Sequence, residues 1–468
     1  MKILTCLRNA CLLTVLVCVT TSVIAQNSTD LRNIPFDEGW SFKKTNVASG
    51  PEKPGYDVSD WRTVEIPHDW SIEDLPNQIH DSVIGPFQKG DYMDHQVGYT
   101  IGGIGWYSKK FITEKSLKNK HVVIHFDGVY LISDVWINGC HLGTNSNGYS
   151  PFYYDLTKFL KPVGQENVLT VKVKNEGDNS RWYSGSGIYR HVWLSVTDKI
   201  CIDPWGVYIT TPQITDNKAN IRIKTAISNK QIFTDKINLV TTILSPTGKI
   251  VQTGEKNIVL DFGTSQTIEQ DLQVSNPDLW SPDAPQLYKA ITEIKKGKKV
   301  LDKVETKFGI RSLSFSAQKG FLLNGEEVIL KGGCIHHDNG PLGAKAIARA
   351  EVRKIELMKQ NGFNAVRTSH NPFSEIFMNA CDSIGMLVIN EAFDMWNQPK
   401  NKDDYSKYFK KFWNRDLTNL MLRDRNHPSV IMWSIGNEIP MPERYDSAGL
   451  ITRKMLVDRF MNWIRRDQ

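Results

Sequence analysis

Along the first two thirds of the chain apolar and polar residues alternate in short strand-like runs, and after about Phe315 the rhythm lengthens into strand and helix pairs. In "HVVIHFDGVYLISDVWINGCHLG", Val122, Ile124 and Phe126 alternate, and Val135 and Ile137 lead into Asn138-Gly139. That is the period of a half-buried strand followed by a hairpin turn. Residues 26–197 keep this grain throughout, broken by Gly, Asn and Asp, and predict a jelly-roll β-sandwich. Over 198–314 the alternation recurs at roughly ten-residue spacing in "ANIRIKTAIS", "KINLVTTILS", "QTIEQDLQV" and "LYKAITEIK". These runs predict an immunoglobulin-like sandwich without a catalytic cluster.

Residues 315–468 read as four βα units. "VILKGGCIHH" (Val328 to His337), "NAVRTSH" (Asn364 to His370), "MLVINEAF" (Met386 to Phe393) and "SVIMWSIGNE" (Ser429 to Glu438) are apolar until their C-terminal tips. Helices are expected between them, with Ala348, Val352, Ile355 and Met358 on the first, Ile376, Ala380 and Ile384 on the second, and Phe409, Phe412, Trp413, Leu417 and Leu420 on the third. A last helix carries Leu456, Phe460 and Trp463. Successive βα units with buried strands predict a parallel sheet, here the first half of a (β/α)8 TIM barrel, which needs eight strands to close.

Composition narrows the field. Lys and Arg number 57 against 51 Asp and Glu. The excess is scattered, with no basic stretch interleaved with aromatics, so nucleic acid is not an expected partner. The opening MKILTCLRNACLLTVLVCVTTSVIA has Lys2 and Arg8 ahead of an apolar run, then Val23 and Ala25. This is the pattern of an export signal over 1–25; its apolar run is about half the ~20 residues a membrane span needs. A periplasmic or extracellular protein with no membrane anchor is expected. Cys140, Cys201, Cys334 and Cys381 then remain, without CxxC spacing, and are read as four buried thiols. Seven tryptophans from Trp40 to Trp193 are many for one sandwich; most should be core, and some could face the C–H side of a pyranose.

The strand tips carry the candidate chemistry. In order they bear His336, His337 and Asp338; Arg367, His370 and Asn371; Glu391, Asp394 and Trp396; and Asn437 and Glu438. A single buried carboxylate is usually just paired. Four loaded tips at the C-terminal ends of barrel strands are a site, because such groups are costly to bury as packing. Glu438 follows an apolar strand and the Gly436 bend. Desolvation and a neighbouring carboxylate would raise its pKa and suit it to general acid/base work. Glycoside hydrolysis needs two such groups across the scissile bond.

These segments resemble glycoside hydrolase family 2, the β-galactosidase family. The barrel motifs are "FLLNGEEVILKGGCIHHDNGPLG", "GFNAVRTSHNP", "LVINEAFDMW" and "SIGNE". Ahead of them "IPHDW", "GGIGWY", "VWINGCHLG" and "SGIYRHVWL" resemble the family's sugar-binding jelly roll, and "LWSPDAPQLY" and "FGIRS" its middle domain. The resemblance implies a retaining β-glycosidase with Glu438 as acid/base and Asn437 on the sugar 2-hydroxyl. His336 and His370 would line the sugar subsite, and Arg367 would sit against the nucleophilic carboxylate. Asp178 or Asn179 would reach the sugar from the first domain, Glu391 would support the site, and Asp394 and Trp396 would contact substrate or pack behind it.

Some members hold Mg²⁺ through a Glu-x-His pair after the third strand. Here that stretch reads "EAFDMWNQ", so neither a metal nor a cofactor is expected. The family nucleophile is a Glu on a later strand, to which no residue here corresponds; the chain is expected to be cut within its barrel and poorly active as it stands. The implied substrate is a β-galactoside, with β-glucuronidase, β-mannosidase or a non-catalytic carbohydrate-binding fragment as alternatives, and a homo-oligomer is left open.

Overall fold

The computed structural model describes residues 32–73 and 100–439, with the short strands Val83–Ile84 and Phe87–Gln88 between them. The export signal and the last helix, with Leu456, Phe460 and Trp463, lie outside the described residues.

The alternation over the first region becomes two antiparallel sheets. One runs Ile34–Pro35, Val192–Thr197, His121–Phe126, Phe152–Asp155; the other has six strands with Gly103–Ile112 and Glu166–Asn175 at its centre. Val122, Ile124, Phe126, Val135 and Ile137 all face the core between them, around Trp40, Phe42, Trp70 and Tyr107. The hairpin signal is realised with Asn138 at φ +52° and Gly139 at +81°, the left-handed pair a two-residue turn requires. The second region is a three-stranded sheet facing a four-stranded one, and the two share a core that includes Ile221, Ile223, Leu239 and Ile243.

The third region holds four parallel strands in sequence order: Gly332–Ile335, Ala365–Thr368, Leu387–Glu391 and Val430–Ser434. The helices Ala348–Gln360, Glu375–Ile384 and Ser406–Asp424 connect them. The order never reverses, so no crevice opens in mid-sheet as in a doubly wound fold, and the chemistry falls to the strand tips. The second helix starts on Ser374, whose hydroxyl accepts from the Phe377 N–H, and ends on Gly385 in the left-handed conformation. Burial of Phe377 and Met378 beneath it is worth about 1.5–3 kcal/mol each. The middle domain seals the opposite end of the strands, where the Trp280 indole donates to Asp382 O at 2.9 Å and Arg311 to Val430 O at 2.6 Å. Among the described residues no helix is long and apolar enough to cross a membrane.

Several local expectations need correction. The first parallel strand is short and exposed instead of running buried from Val328: the Asn364 side chain takes up the Lys331 N–H and the Ile329 carbonyl, and Ile329 is left in solvent. The first helix buries Glu351 and Ile355 while Ala348 is exposed, and the second buries Phe377, Met378, Ala380 and Cys381 rather than Ile376 and Ile384. Of the four thiols only Cys201 and Cys381 are buried; Cys140 follows the hairpin turn and Cys334 lies on the exposed first strand.

Candidate active site

Strand register aligns the tips. Cys334 pairs with Arg367, and Glu391 with Ser434, so side chains from neighbouring tips meet at one level. Glu391 is fully buried at the centre. Its carboxylate accepts from Arg367 Nε at 3.0 Å and Nη2 at 2.7 Å, from His370 Nδ1 at 2.7 Å and from Ser434 Oγ at 2.6 Å. Burial pushes this carboxyl up, but hydrogen bonds from His370, Ser434 and Arg367 prevail and hold it below the ordinary carboxylate value. With this many donors Glu391 is an ionised anchor, and Arg367 spends its fork on it.

Asn437 links this pair to a second one. Its carbonyl oxygen accepts from Arg367 at 3.1 Å and its amide donates to Asp394 Oδ1 at 2.8 Å. Asp394 is buried and also accepts from Arg181 (2.7 and 3.2 Å) and from Lys400 Nζ (2.9 Å). Burial raises its pKa, and the bonds from Arg181, Asn437 and Lys400 more than reverse that. Asp394 is thus occupied by protein groups. Trp396 is buried against Phe409, and a Cβ on Gly436 would come within 2.5 Å of its ring. It backs the bend instead of presenting a face.

Glu438 stands beyond Asn437 with a φ of +48°, unusual for a residue other than glycine and a mark of functional sites. The backbone is pinned there by the Asn437 N–H, which donates to Phe393 O at 2.8 Å. The expected desolvated carboxyl with a raised pKa is not found. The Glu438 side chain is 63% exposed, and its Oε2 lies 3.2 Å from both Lys400 Nζ and Arg181 Nη2. The hydrogen bond and charge of Lys400, with the charge of Arg181, lower its pKa and outweigh the upward pushes of partial burial and Asp394.

His336 and His370 stand at the tips with the Trp182 ring 4.6 Å and 5.5 Å from them. The buried His336 Nδ1 has no partner among the described residues, and burial together with His370 pushes His336 down, toward the neutral form. From the first domain, Asp178 accepts from Asn401 at 2.5 Å, whereas Asn179 is held by Tyr130, Asn175 and its own loop. A pocket opens where the first domain meets the tips, lined by Tyr130, Tyr149, Asn179, Trp182, Asn371 and Asp394. Arg181, Trp182, Lys400 and Ser434 were not singled out as site residues from the sequence. Arg181 directly follows the Asp178 loop already nominated; Lys400 is one lysine among several in a polar loop and carries no local signal.

Comparisons with known proteins agree with this architecture. Residues 36–198 match the family model described as glycosyl hydrolases family 2, sugar binding domain; residues 203–311 match glycosyl hydrolases family 2; and residues 316–462 match its TIM barrel domain. The chain is 40% identical over 405 residues to the β-galactosidase BoGH2A of Bacteroides ovatus, covering 86% of this chain and 46% of that protein. It is 31% identical over 444 residues to a β-glucuronidase of Formosa agariphila, covering 89% and 43%. The crystal structure of a glycosyl hydrolase family 2 member from Bacteroides cellulosilyticus superposes with a TM-score of 0.86 at 44% identity, covering 91% of this chain and 54% of that one. The chain thus spans about half the length of the curated relatives it matches.

Proposed function

The chain belongs to glycoside hydrolase family 2, and from that premise we propose that it carries the acid/base half of a retaining β-glycosidase acting on β-galactosides. Glu438 protonates the leaving oxygen and then takes a proton from the attacking water. Asn437 addresses the sugar 2-hydroxyl, and His336, His370 and Trp182 shape the sugar subsite, with Asp178 held at its rim. The attack on the anomeric carbon falls to a carboxylate assigned to no residue of this chain.

The observation that carries the reading is the placement of Glu438. It is a carboxyl open to solvent beyond the fourth strand, while Glu391 and Asp394 are buried and taken up by protein donors. The galactoside assignment leans on the relative named β-galactosidase. The relative named β-glucuronidase supports glucuronides as the second reading. Export from the cytoplasm, read from residues 1–25, belongs to the same proposal.

Leaving-group dependence tests it in the complete gene product. Glu438→Gln is expected to lower kcat on alkyl galactosides by about 10²–10⁴-fold, the usual worth of a positioned acid. Nitrophenyl galactosides, whose leaving group needs no proton, should lose far less in the glycosylation step. Equal losses on both would remove Glu438 as the proton donor.

A further inference from the structure

Arg181 and Lys400 reach the same two carboxylates from different domains. Arg181 Nη2 lies 2.7 Å from Asp394 Oδ1 and 3.2 Å from Glu438 Oε2, and Lys400 Nζ lies 2.9 Å and 3.2 Å from the same atoms. Neither cation stands on a strand or helix. One belongs to the loop after Glu166–Asn175, the other to the loop between Leu387–Glu391 and Ser406–Asp424. Side chains carried on loops keep a working geometry only where the loops are locked, and each of these is locked within itself. On the first-domain side, Asn179 donates to Asn175 Oδ1 and to the carbonyls of Glu176 and Gly177. On the barrel side, the fully buried Asp404 accepts from the backbone N–H groups of Lys400, Asn401 and Ser406 at 2.8, 2.7 and 2.9 Å.

Asn401 joins the two. It is 7% exposed, and its amide nitrogen donates to Asp178 Oδ1 at 2.5 Å and to Ser180 O at 2.6 Å. Beside it the Asp403 N–H donates to Asp178 O at 2.8 Å, and a Cβ on Gly177, at φ +80°, would run into the Asp403 carboxylate. Asn401 directly follows Lys400, and Ser180 O is the carbonyl of the peptide bond that leads into Arg181. One amide group therefore sets the spacing of the two cations, and also aims the Asp178 carboxylate. We propose that Asn401 is a positioning residue of the active site: it ties the first-domain loop to the barrel loop and thereby holds Arg181 and Lys400 on Glu438 and Asp394, and Asp178 at the sugar rim. The proposal rests on the acid/base reading of Glu438 and adds a residue that acts on that acid without touching substrate.

The pH dependence of kcat/KM in the complete protein tests it, on whichever of methyl β-D-galactopyranoside and methyl β-D-glucuronide the parent cleaves faster. Activity on such a substrate falls at high pH as the acid loses its proton. Lys400 and Arg181 favour the Glu438 anion while Asp394 opposes it, so loosening the two cations lets the acid keep its proton to a higher pH. Every other group of the site is common to parent and variant. Asn401→Ala should lower kcat/KM about ten-fold or more, because a misplacement of about 1 Å can cost 10²-fold, and should move the basic limb to higher pH. Gly177→Ala, which pushes on Asp403 from the other loop, should move the limb the same way. In the Arg181→Gln, Lys400→Met enzyme, Asn401→Ala should move it no further, since Asn401 acts through those two side chains. A loss of stability alone would not move the limb. A limb that stays with the parent's in both Asn401→Ala and Gly177→Ala, or one that Asn401→Ala moves equally with and without the two cations, overturns the assignment. The leaving-group comparison decides the proton donor separately: equal losses in Glu438→Gln remove the premise, whereas unequal losses with an unmoved limb remove Asn401 alone.

Discussion

Glu438 and Glu391 show how little residue type says about a carboxyl's role. Both follow an Asn at the end of an apolar strand. One is buried among donors and serves as an anchor; the other is exposed, with its charge set by Lys400 and Arg181. The sequence reading places Glu438 just past a strand end and expects burial to govern its pKa. Two cations supplied from 38 residues upstream and from another domain govern it instead, and tertiary pairing of that kind has no local signature. Removing one cation should relax the effect. In Lys400→Met, the Glu438 carboxyl followed by carbon-13 NMR should titrate at a higher pH than in the parent chain, because a nearby positive charge favours the anion. An unchanged titration would mean that Lys400 does not set its charge.

At the level of elements, the parallel sheet was legible because its strands are apolar until they end, and a polar tip on such a strand is hard to explain except as a site. Helix ends were legible for the same kind of reason: Gly385 closes the second helix in the left-handed conformation. Less legible was the first strand, where Asn364 competes for the backbone groups of Ile329 and Lys331. The buried polar face of the third helix was also hidden, because its partners lie in the first domain: Asn419 donates to Pro151 O and Arg423 to Asp127. The second helix offers a direct check. The Ser374 hydroxyl caps Phe377 N and donates to buried Glu351, so Ser374→Ala should cost about 1–2 kcal/mol in urea unfolding. A change under a few tenths would mean the cap contributes nothing.

Across the whole molecule the first domain does more than adjoin the barrel. Arg190 donates to Pro372 O, and Arg423 bridges Asp127, Phe373 O and Asp424. Asp424 in turn accepts from Asn390, next to Glu391. The backbone after His370 and the residue before Glu391 are thus braced from outside the barrel. Where the first two domains meet, His125 lies buried beside Trp193 and Trp205, neither ring nitrogen having a partner among the described residues, and burial, then Arg32, pushes its pKa down to about 3. Between pH 6.5 and 3 the unfolded chain takes up a proton there that the folded chain refuses, so stability falls as pH falls. His125→Phe should remove that component, about 2 kcal/mol of the difference between pH 7 and pH 5; an unaltered pH dependence in thermal unfolding would contradict it. The claim on which the function depends is that Glu438 hands a proton to the glycosidic oxygen. A crystal structure of the complete protein with an unhydrolysed β-glycoside measures this directly. The account predicts that oxygen at about 2.6–3.2 Å from the Glu438 carboxyl; finding it out of reach, with Asp394 or Glu391 nearer, would contradict it.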